Sequence, residues 1–213
     1  MTAAPARTVV AFDFDETLTT GDSVIPFMRR FMGPSRFLAG LVMRPMGTLR
    51  SLAQRDRSLL REIATDIVFT GVPHDEVRSA AAQHAEYLIE NMLRPDTTAR
   101  LGWHVEQGHQ VVIVSASYED YLQPVADHLG AHAVISTRLE VVDGRCTGHL
   151  DGPNCRGPEK VHRLAGWLEA VGHERSEIDL WAYGDSAGDR EMLTWSDRSF
   201  WVDSRLASVA PSP

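Results

Sequence analysis

Cysteine is nearly absent from this chain: 213 residues hold two, Cys146 and Cys155. Two thiols are too few for a disulfide framework, and they form neither a C-x-x-C pair nor part of a histidine cluster. They read as reduced thiols of a cytoplasmic protein. Basic charge is also short, with 21 Lys and Arg against 29 Asp and Glu and a net charge of −8. A nucleic-acid binder shows the opposite balance. No run approaches the roughly 18 apolar residues of a membrane span, and Met1–Val9 lacks the basic and apolar regions of a secretory signal. G-x-x-x-x-G-K-[ST], G-x-G-x-x-G and H-E-x-x-H are all missing, which removes P-loop, dinucleotide and zinc-protease readings.

What is present is ordinary globular composition, 43% hydrophobic and 23% charged. The length fits one domain, or one domain with an insertion, able to bury roughly 70% of the surface its unfolded chain exposes. Five short apolar runs read as buried strands: Val9–Phe12, Val111–Val114, Ala133–Ile135, Leu180–Tyr183 and Phe200–Val202. Helical patterns lie between several of them, which favours parallel βαβ units. Pro95 opens one helix that ends before Gly108, a second runs from Glu119 to Gly130, and Pro158 opens a third. Asp143-Gly144 between two short extended runs predicts a hairpin.

Thr20–Arg94 contains no convincing strand. Leu59, Leu60, Ile63, Ile67 and Val68 recur at helical spacing, Thr70-Gly71-Val72-Pro73 breaks the pattern, and a second helix is expected over Asp75–Met92. Residues 20–94 therefore read as a helical cap inserted into a core made of 1–19 and 95–213, with Ala207–Pro213 a frayed tail. The cap carries an uneven charge: eight arginines between Gly21 and Arg61 face only Asp22 and Asp56. Such a patch fits an anion-facing surface and equally a solvated helix face.

In an open parallel sheet, ligands bind at the carboxyl ends of the strands. Asp13-Phe14-Asp15-Glu16-Thr17 follows the first apolar run, Ser115-Ala116-Ser117 the second, and Gly184-Asp185-Ser186-Ala187-Gly188-Asp189 the fourth. Acids brought together in this way repel unless a cation joins them, and an all-oxygen set suits Mg²⁺. Ser115 and Ser117 precede a helix, so they read as an anion site or, for Ser117, as a helix cap. Lys160 sits in the first turn of a helix, an unfavourable place for a cation. A phosphate and the Asp189 carboxylate would account for it; a solvent-exposed lysine is the alternative.

D-F-D-E-T-L-T, the Ser115 strand end, Lys160 and G-D-S-A-G-D resemble, in order and spacing, the four motifs of the haloacid dehalogenase superfamily. S-A-S-Y-E-D-Y and T-R-L-E-V-V-D-G-R-C-T-G are similar to its phosphoserine-phosphatase-like branch. The resemblance implies an α/β fold, a Rossmann-like parallel core with an all-helical cap and a small β-hairpin. It implies Asp13 as nucleophile forming an aspartyl-phosphate, Asp15 as general acid and base, and Lys160 as the cation beside them, set by Asp189. Asp13, the backbone carbonyl of Asp15 and Asp185 would hold Mg²⁺. Ser115, the amide of Ala116 and Thr17 would meet phosphate, while Asp22 would read a substrate ammonium and Arg57 or Arg61 a substrate carboxylate.

Two departures stand out. Ser-Ala-Ser replaces the branch's Ser-Gly-Gly, and Gly188 replaces an asparagine whose amide would face phosphate. The expected activity is hydrolysis of a small phosphorylated metabolite, phosphoserine first and other amino-alcohol phosphates such as histidinol phosphate behind it. A phosphotransferase, or a non-enzymatic module docking its basic segment on an anionic membrane surface, are the rivals.

Overall fold

The structure, a computed structural model, describes residues 7–43 and 57–202. Arg44, Arg50, Arg55 and the expected tail Ala207–Pro213 lie outside the described residues, as does the side chain of Arg57.

Five strands, β1 (Arg7–Phe12), β2 (Gln110–Tyr118), β3 (Ala133–Thr137), β6 (Ile178–Gly184) and β7 (Arg198–Trp201), form one sheet in the order β3-β2-β1-β6-β7. Every pairing is parallel. β1 lies at the centre, and Val9, Val10, Ala11 and Phe12 are fully buried. Its alternate residues serve two separate cores, Val10 and Phe12 on one face and Val9 and Ala11 on the other. That division explains the unbroken apolar run, because a strand covered on both faces has no polar side.

The second face is covered by α7 (Pro158–Ala170) and α8 (Arg190–Trp195), through Leu164, Leu168, Met192 and Leu193. The first is covered by α5 (Pro95–Glu106) and α6 (Glu119–Leu129), through Leu101, Tyr121, Leu122 and Val125. That first core does not stop at the sheet. It continues into α1 (Val24–Met32), α2 (Pro34–Met43), α3 (Arg57–Phe69) and α4 (His74–Asn91) through Phe27, Met28, Phe37, Ala64, Val68, Phe69, Val77, Ala81 and Leu88. The helices between β1 and β2 thus share one apolar core with a sheet face. Phe27 joins the two, with its ring 5.2 Å from that of Tyr121 and 5.9 Å from that of Phe69.

β4 (Leu139–Val142) and β5 (Arg145–Leu150) make the antiparallel hairpin. β2 is longer than its apolar run: the strand passes through Ser115, Ala116 and Ser117 to Tyr118, with a register irregularity after Ser115. α6 begins only at Glu119. No helix among the described residues is long and apolar enough to cross a membrane.

Candidate active site

The strand ends converge as a parallel sheet requires. Asp13 leaves β1 with its amide still donating to the Tyr183 carbonyl of β6, 2.9 Å away, so the backbone holds it beside Asp185 at the end of that neighbouring strand. The turn after Asp13 closes tightly through Leu18 N–H to Phe14 O at 2.8 Å. Glu16 sits in the left-handed region at φ 62°, a conformation that costs a non-glycine residue on the order of 1 kcal/mol.

Lys160 reaches in from the first turn of α7 and is 2% exposed. Its Nζ donates to Asp13 Oδ1 at 2.5 Å and to Asp189 Oδ1 at 2.6 Å. Asp189 Oδ2 in turn accepts from the amide and hydroxyl of Ser186, at 3.0 and 2.8 Å. Burial works against the lysine's charge, but Asp13 and Asp189 outweigh it and raise its pKa. Burial likewise pulls against ionised Asp189, yet Lys160 and the Ser186 donors hold it below the usual carboxylate range. Asp13 is different: burial pushes it up to about 6 despite Lys160. Asp185 is pushed up to about 7 by burial and by the charges of Asp13 and Asp189. Three carboxylates, with ligand oxygens within 4.8 Å of one another, therefore stand beside one ammonium that pairs with only two of them, Asp13 and Asp189. The surplus negative charge and the all-oxygen donor set fit a divalent cation of the Mg²⁺ type.

Asp15 belongs to a second cluster. Its Oδ1 accepts from the amide of Ser23 at 3.0 Å and the hydroxyl of Ser23 at 2.5 Å. Its Oδ2 accepts from the Ser117 hydroxyl at 2.9 Å and from Arg61 Nη2 at 3.2 Å. Burial is the largest influence and raises its pKa, with Arg61 pulling the other way. Arg61 also reaches Asp22 Oδ1 at 3.1 Å and the Ala116 carbonyl at 3.2 Å. Asp22 Oδ2 accepts from the Ile25 amide at 2.9 Å, inside the first turn of α1. One arginine from the helical segment thus meets the ends of both β1 and β2.

Between the two clusters lies a cavity of about 250 Å³. Asp13, Asp15, Asp22, Ser115, Ala116, Lys160, Asp185 and Asp189 all line it, as do Arg61, Asn154 and Arg156. Thr17 is not among the lining residues; it is fully buried and its hydroxyl donates to Asp185 Oδ1 at 3.1 Å. Sequence reading missed Ser23, Asn154 and Arg156, and it left Ser117 between a helix cap and an anion contact. The Ser-Ala-Ser tripeptide was the available signal for Ser117. Ser23, Asn154 and Arg156 carried none.

The haloacid dehalogenase-like hydrolase family model matches residues 10–194. The chain is 38% identical to Protein CicA of Caulobacter vibrioides over 192 residues, which span 89% of this chain and 83% of that protein. It is 29% identical to the phosphoserine phosphatase SerB2 of Mycobacterium tuberculosis over 187 residues, 88% of this chain and 42% of the relative. A solved substrate-bound phosphoserine phosphatase shares the fold at a TM-score of 0.61 and 19% identity, covering 92% of this chain and 86% of the other. A protein of unknown function from Bordetella pertussis does so at 0.69 and 22%, covering 91% and 89%. With a parallel sheet that delivers its acids to one edge and a helical segment standing over them, the chain belongs to the haloacid dehalogenase-like hydrolases.

Proposed function

We propose that the chain hydrolyses a small phosphomonoester through a phosphoryl group held on Asp13. The observation that supports this most is the asymmetry of Asp13. Lys160 occupies Oδ1, while Oδ2 has no protein partner among the described residues and the side chain faces the cavity. That oxygen attacks phosphorus, the new Asp13–phosphorus bond forms, and the bond from phosphorus to the ester oxygen breaks. The departing alkoxide takes its proton from Asp15, whose burial favours the protonated form. Asp15 then removes a proton from water, the resulting hydroxide attacks phosphorus, and inorganic phosphate leaves Asp13. Lys160 balances charge on the nucleophile throughout. Asp13, Asp185 and the backbone carbonyl of Asp15 would hold Mg²⁺, which when bound neutralises phosphate charge and orients the oxygens for attack.

The cavity volume of about 250 Å³ suits a small metabolite. Asp22 and Arg61 line it side by side, an acid and a base matching the ammonium and carboxylate of an amino-acid phosphate. Phosphoserine is accordingly the leading substrate. Phosphate release from phosphoserine, phosphoethanolamine, histidinol phosphate and sugar phosphates, with MgCl₂ and with chelator, tests the reading. Turnover should need both Mg²⁺ and Asp13, and Asp13→Asn should abolish it. Arg61→Ala should raise KM for phosphoserine roughly tenfold or more and change that for phosphoethanolamine less, since only the former offers a carboxylate. A folded protein that hydrolyses nothing across the panel overturns the proposal, and phosphoryl transfer to added alcohols in place of water would make it a phosphotransferase.

A further inference from the structure

Gly188, in the loop after β6, lines the cavity and has no side chain to offer it. A second loop, between β5 and α7, lies against it: the Gly157 amide donates to the Gly188 carbonyl at 2.9 Å. The space above Gly188 is filled by Arg156. A Cβ added at Gly188 would come within 2.9 Å of the guanidinium carbon of Arg156 and 3.1 Å of its Nε. Side chains do not approach that closely, so only glycine at 188 lets the guanidinium rest there. Arg156 is half-buried, lines the cavity, and makes no side-chain hydrogen bond or ion pair among the described residues. A guanidinium withdrawn from water ordinarily finds an acid or a carbonyl. Here six carboxylates, those of Asp13, Asp15, Glu16, Asp22, Asp185 and Asp189, line the same cavity, and none pairs with it.

Asn154, two residues earlier, also lines the cavity. Thr137 Oγ1 accepts the Cys155 amide at 3.1 Å and spends its proton on Asn154 Oδ1 at 2.9 Å. That contact fixes the amide's orientation and leaves the Asn154 NH₂ with no partner among the described residues. An anchored amide and an unpaired guanidinium therefore stand on one loop, both at the cavity wall.

We infer that Asn154 and Arg156 form a phosphate-binding loop of this enzyme, their amide and guanidinium supplying the oxygen contacts that Gly188 cannot make. This rests on the phosphatase reading above. A planar fork of donors suits phosphate oxygens better than a single amide, and Ser115 and Ala116 line the same cavity as this loop.

The test is calorimetric titration of the full-length protein with inorganic phosphate in MgCl₂, which needs no knowledge of the substrate. Arg156→Gln should weaken phosphate binding roughly tenfold or more, the size of a charged hydrogen bond, while Arg156→Lys should lose less. Asn154→Ala should weaken it by a smaller factor. Gly188→Ala should also weaken it, by pushing the guanidinium aside, and combining it with Arg156→Gln should add nothing further. Because the Arg156 side chain has no hydrogen-bond or ion-pair partner among the described residues, thermal melting should show Arg156→Gln as stable as wild type. If wild type binds phosphate and Arg156→Gln binds it equally well, or if the double variant is additive, the loop assignment falls while the Asp13 chemistry stands. If wild type neither binds phosphate nor hydrolyses any phosphomonoester, both fall together.

Discussion

Desolvating an ammonium costs several kcal/mol unless acids surround it, and Lys160 is surrounded by two, at 2.5 and 2.6 Å. The arrangement is mutual, because Asp13 and Asp189 would otherwise face each other unscreened beside Asp185. Lys160→Met should therefore lower unfolding free energy by about 3–5 kcal/mol, the cost of breaking a buried pair. Urea denaturation measures it, and a loss below about 1 kcal/mol would show that the acids simply take up protons. Ser117 makes a different case. Its hydroxyl donates to Asp15, and it is not among the residues lining the cavity. Ser117→Ala should reduce kcat roughly tenfold and leave KM nearly unchanged, since the proposed mechanism asks Asp15 to move a proton in the transition state and not to hold the substrate on binding. Equal changes in both constants would place Ser117 against substrate. Asp13, Lys160, Asp185 and Asp189 could be singled out in the sequence because acids after apolar strands, and a lysine in a first helical turn, are out of place there. Ser23 and Ser117 could not be assigned their role, because that role exists only through Asp15, 8 and 102 positions away along the chain.

Elements were easier to read than their neighbours. β-branched runs and helical stripes mark where each strand and helix lies, but periodicity carries no information about what an element packs on. The hairpin illustrates this. The sequence places it in the core portion, by position along the chain alone. In the structure it is strapped to the turn between α3 and α4. The Gly71 amide donates to Cys146 O and the Cys146 amide to Val72 O, both at 2.8 Å, and the His74 amide donates to Gly144 O at 2.9 Å. Pro73 and Arg145 form an isolated antiparallel bridge, so Val72–Pro73 acts as a short third strand to β4–β5. Gly148 makes the close fit. It has φ +90°, and an added Cβ would lie 2.1 Å from Thr70 Oγ1 and 3.1 Å from the Asp66 Cα. Gly148→Ala should cost about 1–3 kcal/mol, from backbone strain and overpacking together. Differential scanning calorimetry should show the melting temperature falling by several degrees. An unchanged melting temperature would mean that the hairpin can lift off α3 freely.

At the scale of the molecule, one apolar core runs from the helical segment to the sheet, and two buried histidines sit within it. His104 is fully buried among Phe12, Trp181 and Tyr183, with Nε2 3.0 Å from the Tyr183 hydroxyl and Nδ1 2.8 Å from His109 Nδ1. Burial, with His109 and Arg100 adding to it, pushes its pKa down to about 3. Burial pushes His84, whose Nε2 lies 2.9 Å from the Ser23 carbonyl, down to about 4. Both are neutral in the folded chain, whereas an unfolded histidine titrates near 6.5. As pH falls below about 6.5 the unfolded state takes up a proton that folded His104 refuses. Stability is therefore full above that pH and declines by up to about 1.4 kcal/mol per pH unit for each histidine, until the folded value is reached. Asp13 and Asp185 act in the opposite sense, because their raised values let the folded state bind protons first. The raw pH dependence of the protein thus mixes both signs. Comparing wild type with His104→Gln separates them, since the carboxylates are common to both proteins. Between pH 7.5 and 5 the stability of wild type relative to the variant should fall by about 2 kcal/mol. A difference that stays constant over that range would mean that His104 takes up a proton inside the folded core, and that the aromatic cage around it opens well before the molecule unfolds.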